Sequence, residues 1–547
     1  MKRSLPLLVL LLMPLAAMHA ETWDHSETNP ALQAPDSVPL APEKYRRPGK
    51  DLPPQYQYSV EELKNRYSAE IMKKAAESRA NISKINGEGK WKPTAASIEE
   101  HQAPEWFLDA KFGMFVDWGP WSIAGWAPKE KTGAMYPDWY ENRLGTERFR
   151  PYHEKNWGKD FKHDDFLPLF QARDYDPEKL AAIARQAGMK YVVPFCKHHG
   201  GYCLWPSSFT RRNSLEMGPK KDLIGPLAES CKKEGLKFGF YFSVNEWDYP
   251  ILGEDNTLQS FHWGKIFPKP IMESVATGKI AVRDFMMDYS LPQAAEFIDR
   301  YDPDLIWYDG QWGVEPEQLK TYDISAYLYN KAEGRKDVAV NDRYGKGPRR
   351  GDFLTSEYHS MKQDAKKTYH PWEECRGISQ SFGFNWQDTA ANIISSKEFL
   401  SMFLDIVSRG GNLLLIVNLE GQGALPAIQK DRLEEIGKWL AVNGEAIYAT
   451  RMYSTTSEGP VRYTRSKDNK TVYAITTDWP GKTLELKSVV PRKGTAIYLL
   501  GEKEPLQWTR DDSKGVTVIA IPERLQKESN RPCKDAYAFR VEVEPQQ

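Results

Sequence analysis

Between residues 106 and 450, short apolar runs alternate with segments that carry hydrophobic residues at helical spacing. Most of the runs are continuously hydrophobic, as in parallel strands that are buried on both faces. They lie at residues 112–116, 191–196, 238–242, 305–308, 338–340, 353–356 and 412–417. The helical segments lie at residues 181–187, 223–234, 291–300, 399–408 and 431–442. This alternation predicts an α/β fold, a (β/α)8-like barrel.

From about residue 453 the pattern changes to alternation of polar and apolar residues with a period of two. Turn-forming pairs, Asp468-Asn469 and Pro480-Gly481, separate the alternating segments. Such alternation is typical of antiparallel strands with one face buried and the other in water. It predicts that a C-terminal antiparallel β-sandwich follows the barrel.

The N-terminus has the pattern of a secretory signal peptide: two basic residues, an apolar run at residues 5–13 and small residues after it. A stretch rich in Pro, Asn and Ser follows and predicts an extended linker. Ser59, with Glu62 three residues later, forms a capping-box pattern that predicts a helix start. The predicted organisation is a signal peptide over residues 1–20, a linker over 21–58, a catalytic barrel with an N-terminal helix over 59–450 and a β-sandwich over 451–547. We expect an exported protein, either periplasmic or secreted.

The composition limits the function classes. A net charge of -1 over 547 residues lacks the basic excess of a nucleic-acid-binding protein. No apolar run after the N-terminus is long enough to cross a membrane. Cys196 and Cys203 are close enough in sequence to pair, but five scattered cysteines do not form a disulfide scaffold, and we expect buried free thiols. No Cys/His spacing predicts a zinc site, and we expect no metal and no organic cofactor.

Polar side chains follow strand after strand at the C-terminal end, which is where the active sites of barrels lie. Two carboxylates at such positions predict glycoside hydrolysis, and the 18 tryptophans and 27 tyrosines suit sugar stacking as well as a large core. Asp309, followed by Gly310, is the predicted nucleophile. Glu357 is the first candidate for the acid that protonates the departing oxygen. Glu373 and Glu374, which follow a tryptophan and could lie on a mobile loop, are its rivals.

Seven short segments occur in a fixed order along the chain. They are Lys111-Phe112-Gly113-Met114-Phe115, Lys197-His198-His199 with Leu204-Trp205-Pro206-Ser207, Gly235 to Ser243, Trp307-Tyr308-Asp309-Gly310, Asn341-Asp342-Arg343, Trp372-Glu373 and Asn443 to Tyr448. In this order they resemble the family 29 glycoside hydrolases, the retaining exo-α-L-fucosidases. The resemblance covers roughly residues 104 to 540.

The resemblance implies an exo-glycosidase that acts on a glycan or oligosaccharide, with Asp309 as the nucleophile. The acid/base position varies among subgroups of the family and matches either Glu357 or Glu373. The expected substrate-binding residues are Asp117, Trp118, Asp138, Trp139, His198, His199, Tyr241, Arg343 and Glu373.

Three positions depart from the family pattern. Asp117 stands where the family usually has a histidine that donates a hydrogen bond to the sugar, and an ionised aspartate can only accept one. Gly200 replaces an aspartate, and Asp138 replaces a glutamate. The departures suggest altered sugar recognition, such as a preference for α-L-galactose. Two alternatives remain open: a related barrel hydrolase for another sugar, and a decayed hydrolase that only binds carbohydrate.

Overall fold

The computed structural model describes residues 38–49, 52–54, 56, 59, 61–129, 135–268, 277–347, 351–358 and 369–545. The predicted signal peptide and most of the predicted linker lie outside the described residues. The described stretch 38–49 differs from a free linker because it packs against the barrel. The backbone N–H of Ala41 donates to Asn156 Oδ1 at 2.8 Å, and Tyr45 is only 6% exposed.

Eight parallel strands form the ring of the barrel. Their bounds are β1 Phe112–Asp117, β2 Tyr191–Lys197, β3 Lys237–Ser243, β7 Leu305–Asp309, β8 Ala339–Val340, β9 Leu354–Glu357, β10 Trp372–Gly377 and β11 Gly411–Asn418. Between β3 and β7 the chain forms a small antiparallel sheet of β4 Tyr249–Leu252, β5 Leu258–His262 and β6 Lys265–Phe267. The barrel strands follow one another in the order β8-β7-β3-β2-β1-β11-β10-β9, and a parallel bridge between Asn341 and Phe353 closes the ring. The predicted barrel is confirmed.

The register brings the C-terminal ends of the strands to one face. Ser243 at the end of β3 pairs with Asp309 at the end of β7, and Asp117 at the end of β1 pairs with Asn418. Every residue of β1, β2, β7 and β11 is buried, as expected for parallel strands covered by helices.

Thirteen α-helices occur in the described residues, several of them on the outside of the ring. Their bounds are α1 Tyr67–Glu88, α2 Ala95–Ile98, α3 Glu105–Ala110, α4 Trp121–Ala124, α5 Tyr140–Arg143, α6 Arg150–Asn156, α7 Pro177–Gln186, α8 Gly225–Lys233, α9 Leu291–Tyr301, α10 Pro316–Leu319, α11 Thr321–Ala332, α12 Ser396–Ser408 and α13 Ala427–Asn443. The predicted capping box is present, since Ser59 Oγ accepts from the Glu62 N–H at 3.1 Å. A π-helical stretch, Glu62–Arg66, separates it from α1.

The C-terminal region consists of two antiparallel sheets, as predicted. The strands are β12 Thr450–Glu458, β13 Val461–Ser466, β14 Thr471–Thr476, β15 Thr483–Leu486, β16 Ile497–Leu499, β17 Trp508–Asp511, β18 Val516–Ala520 and β19 Tyr537–Glu542. One sheet has the order β12-β13-β14-β19-β16 and the other β15-β18-β17. Tyr463 and Val472 of the first sheet share a buried core with Leu484 and Ile519 of the second.

The five cysteines have free thiols, and four of them are buried. Among the helices of the described residues, none has both the length and the apolar content needed to cross a membrane.

Candidate active site

The carboxylate of Asp309 lies at the C-terminal end of β7, at the mouth of the barrel. Its side chain is 12% exposed. The next residue, Gly310, has φ +75°, and a Cβ at this position would lie 2.7 Å from Ser243 Oγ. A glycine is required here because the backbone is left-handed and the neighbouring side chain is close. Residue 310 therefore has no side chain that could occupy the space beside Asp309.

Arg343, which follows β8, connects the two predicted catalytic carboxylates. Its Nη1 donates to Asp309 Oδ1 at 2.9 Å, and its Nη2 donates to Glu357 Oε2 at 3.2 Å. The Nε of the same guanidinium donates to Thr355 Oγ1 at 3.1 Å, which fixes its plane. The other oxygen of Glu357 accepts from the hydroxyl of Tyr136 at 2.8 Å. The structure thus brings Asp309 and Glu357 together on one cation.

Tyr241 from β3 holds the second oxygen of the nucleophile candidate. Its hydroxyl donates to Asp309 Oδ2 at 2.8 Å, and its ring is stacked on Phe195 with centroids 4.0 Å apart. Burial, reinforced by the negative charge of Asp309, raises the pKa of Tyr241 well above its ordinary value. The phenol therefore keeps its proton and acts as a donor at neutral pH.

His199 faces Asp309 with one ring nitrogen and Ser243 with the other. Its Nε2 lies 3.7 Å from Asp309 Oδ2, and its Nδ1 lies 2.6 Å from Ser243 Oγ. Ser243 gives its single proton to the carbonyl oxygen of Asn245, so Nδ1 of His199 must be the donor toward Ser243. Burial, followed by the charge of Arg343, lowers the pKa of His199 to about 3. Nε2 is therefore an unprotonated acceptor directed at the pocket.

His198, Asp138 and Asp117 form a second polar group in the pocket. His198 Nε2 lies 3.4 Å from Asp138 Oδ2. Asp117 Oδ1 accepts from Trp121 Nε1 at 2.9 Å, and the Trp121 ring is 5.2 Å from the His198 ring. Burial lowers the pKa of His198 well below its ordinary value, so this imidazole is neutral. These groups suit the recognition of sugar hydroxyls.

Comparison with known families agrees with this geometry. A profile described as α-L-fucosidase matches residues 79–445, and a profile described as the α-L-fucosidase C-terminal domain matches residues 454–542. The chain belongs to the α-L-fucosidase family. It is a glycoside hydrolase by membership of this family, and the two matched regions correspond to the barrel and the sandwich.

Relatives of this α-L-fucosidase family member span nearly all of both domains. The α-L-fucosidase of Branchiostoma floridae is 32% identical over 462 residues, which is 83% of this chain and 96% of that protein. The tissue α-L-fucosidase of Rattus norvegicus is 32% identical over 444 residues, 79% of this chain and 88% of that protein. Among solved structures, α-fucosidase of Thermotoga maritima in complex with a mechanism-based inhibitor is 31% identical, with a TM-score of 0.67, and covers 83% of this chain and 100% of that one.

The placement of Glu373 corrects the expectation from sequence. It does not lie on a mobile loop but near the start of β10, where it is fully buried. Its Oε1 accepts from Trp307 Nε1 at 2.9 Å, and its Oε2 accepts from the hydroxyl of Tyr191. Burial raises the pKa of Glu373 to about 7. Its carboxyl group belongs to the interior of the barrel and not to the surface of the pocket, and Glu374 is likewise fully buried.

Trp118 also differs from the expectation. Its ring packs on Phe170 and Tyr175, and its Nε1 donates to the carbonyl oxygen of Glu420 at 2.9 Å. These are packing contacts outside the pocket. Trp121, three residues later, lies beside His198, with the two rings 5.2 Å apart. A bend at Gly119 and a turn at Pro120 separate Trp118 from Trp121, which begins α4, and periodicity gave no signal for this.

Trp139 lies at the pocket, as expected, within an aromatic wall. Its ring is 5.6 Å from His199, 5.4 Å from Trp247 and 5.9 Å from Trp312. Trp263, on the turn between β5 and β6, extends this wall and lies 5.2 Å from Trp312. The sequence predicted neither the small sheet that carries Trp263 nor the role of Tyr136 beside Glu357.

A carboxylate from another segment fills the space beside Gly200. A Cβ at residue 200 would overlap Glu141 Oε2, so the aspartate of the family pattern does not fit here without a shift. In the described residues, Glu141, His163 and Asp164 bring potential ligand atoms within 4.8 Å of one another. Arg212 Nη2 lies 2.9 Å from Asp164 Oδ1 and 3.4 Å from Glu141 Oε1. A fixed cation already balances this cluster, which therefore resembles an ion-pair network more than a metal site.

Proposed function

We propose that this chain is an exo-acting α-L-fucosidase that removes terminal α-L-fucose from glycans with net retention of anomeric configuration. The observation that carries this proposal is the bridge from Arg343 to both Asp309 and Glu357, at 2.9 and 3.2 Å. Carboxyl groups bound to one guanidinium are neighbours, as the retaining mechanism requires. The names of the curated relatives support α-L-fucose as the sugar.

In the first step Asp309 attacks the anomeric carbon, and the bond from that carbon to the leaving oxygen breaks. Arg343 and Tyr241 each donate to one oxygen of Asp309, which orients the carboxylate before the attack. Glu357 gives its proton to the leaving oxygen. Because Arg343 and Tyr136 both donate to Glu357, this residue must exchange one of these contacts for the leaving oxygen.

In the second step water attacks the covalent fucosyl–Asp309 intermediate from the side that the leaving group has vacated. Glu357, now ionised, takes a proton from this water, and Asp309 leaves as a carboxylate. The two inversions restore the original configuration. The unprotonated Nε2 of His199 is an acceptor for a sugar hydroxyl, and we assign further contacts with the sugar to His198, Asp117, Asp138 and Trp139.

Azide rescue tests the assignment of the two carboxylates. We expect Asp309→Gly and Glu357→Ala each to lose most activity on 4-nitrophenyl α-L-fucoside. With azide, the Asp309 variant should release β-fucosyl azide, because azide enters from the face that the aspartate occupied. The Glu357 variant should release α-fucosyl azide, because azide replaces water on the covalent intermediate.

Glu373→Gln serves as the comparison, since it removes a buried carboxyl group at the opposite end of a barrel strand. This variant should show no azide product. Near-normal activity of Glu357→Ala, together with azide rescue of the Glu373 variant, would transfer the acid/base role to Glu373.

Sugar preference needs a separate test, because α-L-galactose differs from α-L-fucose only by a hydroxyl at C6. Because Asp117, Asp138 and Gly200 depart from the family pattern, a preference for α-L-galactose is the alternative hypothesis. Rates on the two 4-nitrophenyl glycosides decide between them. The presence of Asp309 and Glu357 on one arginine argues against the third possibility, a decayed protein that only binds carbohydrate.

We also propose export, on the basis of the basic and apolar pattern at the N-terminus. Expression of the full chain followed by N-terminal sequencing of the mature protein tests it. Cleavage after Ala17 or Ala20 is expected, and an intact Met1 in the cell interior would contradict export.

A further inference from the structure

The pocket holds a second pair of carboxyl groups, which the catalytic steps do not use. Asp117, at the end of β1, has no exposed surface, and Asp138, in the 3-10 turn Pro137–Trp139, is 2% exposed. The two residues flank Gly383. A Cβ there would lie 3.4 Å from Asp117 Oδ1 and 3.0 Å from the backbone nitrogen of Asp138.

Each carboxyl group of this pair has an oxygen atom without a hydrogen-bond partner among the described residues. Asp117 Oδ1 accepts from Trp121, but its Oδ2 has no hydrogen-bond partner among the described residues. The same holds for Asp138 Oδ1 and for Nδ1 of His198. Buried polar atoms are normally paired. The three residues are grouped around His198, since Asp138 Oδ2 lies 3.4 Å from its Nε2 and Trp121, which donates to Asp117, lies beside its ring. Three unpaired atoms in one such group indicate a ligand with several hydroxyl groups.

The charges around the pair do not support two ionised carboxylates. Six titratable or charged groups face the Asp117–Asp138 pair. Four come from the barrel strands or directly after them: His198 after β2, Tyr241 on β3, Asp309 on β7 and Glu357 on β9. The other two, Tyr136 and Arg143, lie on the segment that carries Asp138. His198 and Tyr241 are neutral at pH 7. The charge of Asp309 opposes ionisation of Asp138, as does that of Glu357 when this residue is ionised. Arg143 is the cation of this set that favours ionisation of Asp138.

The consequence is a carboxyl pair that retains a proton. Burial raises the pKa of Asp138 to about 8. Burial also raises the pKa of Asp117 well above its ordinary range, and the neighbouring charge of Asp138 raises it further. Two carboxyl groups that share a buried site cannot both ionise easily.

We propose that one carboxyl group of the Asp117–Asp138 pair is a neutral carboxylic acid in the buried pocket and that it donates a hydrogen bond to a hydroxyl of the bound sugar. The inference rests on the proposed function, because the sugar is taken to be α-L-fucose. The neutral carboxylic acid supplies a hydrogen-bond donor at the position where the family pattern has a histidine. The remaining carboxyl oxygen and the ring nitrogen of His198 complete the contacts with neighbouring hydroxyls.

The sign of the pH dependence follows from this arrangement. The acid form of Asp138 is present below its pKa of about 8 and is lost as the pH rises through this value. L-fucose itself does not ionise in this range. Its dissociation constant should therefore be flat below pH 7 and rise about tenfold per pH unit well above 8, because each binding event must then take up a proton.

The test is calorimetric titration of the full-length protein with L-fucose between pH 5.5 and 9.5. At pH 9, measurements in buffers of different ionisation enthalpy should show uptake of close to one proton per bound sugar. In Asp117→Asn and Asp138→Asn a permanent amide donor replaces the acid, so the rise above pH 8 should disappear in at least one of them. Asp323→Asn on α11 is the matched control, since burial raises the pKa of this aspartate too, and it should keep the wild-type slope.

Each outcome bears on one claim. A wild-type affinity that stays flat to pH 9.5 with no proton uptake overturns the inference, and so does an unchanged slope in both asparagine variants. The wild-type proton-uptake measurement remains decisive if a variant fails to fold. Absence of L-fucose binding at every pH, together with no release of fucose from 4-nitrophenyl α-L-fucoside, would instead reject the proposed function.

Discussion

Arg343 is the residue on which the arrangement of the two catalytic carboxylates depends. We expect Arg343→Met to reduce kcat/KM on 4-nitrophenyl α-L-fucoside by about 100- to 1000-fold. Methionine keeps the apolar contact with Trp307, whose ring lies 4.4 Å from the guanidinium carbon. It removes the donors to Asp309 Oδ1 and Glu357 Oε2. Neither carboxyl group would then be held in place by the guanidinium.

The magnitude follows from the burial of the bridge. Removing one partner of a buried ion pair costs about 3–5 kcal/mol. The side chains of Arg343, Asp309 and Glu357 are 13%, 12% and 28% exposed, so water compensates for part of this loss. A remaining cost of about 3–4 kcal/mol in the transition state corresponds to the stated loss in rate. Arg343→Lys should lose about tenfold, because one ammonium group keeps the charge but reaches a single carboxylate.

Arg409→Met is the control for this experiment. Arg409 also pairs with an aspartate, Asp405, at 2.7 Å and also lies over a tryptophan, Trp372, but at the N-terminal end of β10. The Arg409→Met variant should have a lower midpoint of thermal unfolding and an unchanged kcat/KM. If Arg343→Met folds and keeps kcat/KM within threefold of wild type, the guanidinium does not organise the carboxylates and the argument fails.

Three further changes test other parts of the site. Tyr241→Phe should lower kcat by about 10-fold, the value of one hydrogen bond to a charged group, without affecting thermal stability, and an unchanged kcat would show that Asp309 does not need this donor. Glu373→Gln should flatten the dependence of stability on pH. Because the pKa of Glu373 is raised from 4.5 to about 7, wild type should lose about 3 kcal/mol of unfolding free energy between pH 4.5 and 7 that the variant retains, measured as the change in unfolding midpoint. Gly200→Asp should destabilise the protein and Glu141→Ala should partly restore it, whereas additive effects in a double-mutant cycle would refute their contact.

Much of the site could be predicted because parallel strands end at one face. Asp309 and Glu357 are the last residues of β7 and β9, and Arg343 follows β8, so no knowledge of distant loops is needed to bring them together. The paired histidines follow β2 for the same reason. The barrel itself was predictable from the apolar runs, since buried parallel strands have few polar positions.

Glu373 shows where sequence reasoning failed. Two adjacent glutamates in Trp372–Gly377 conceal a buried strand, because periodicity assigns charged residues to the surface. The hydrogen-bond donors that satisfy this buried carboxyl group lie far away in sequence. Tyr191 and Trp307, which donate to Glu373, are 182 and 66 residues distant. No local pattern indicates that a carboxyl group will find two donors inside the barrel.

The departures from the family pattern are connected by structure, which their separate positions in the sequence conceal. Asp138 and Glu141 lie three residues apart, on the turn Pro137–Trp139 and on α5. Glu141 occupies the volume beside Gly200, and the charge of Asp138 acts on Asp117. One short segment is therefore adjacent to both of the other departures, at residues 200 and 117. Restoring the aspartate at residue 200 alone should accordingly fail, because Glu141 occupies the space that its side chain needs.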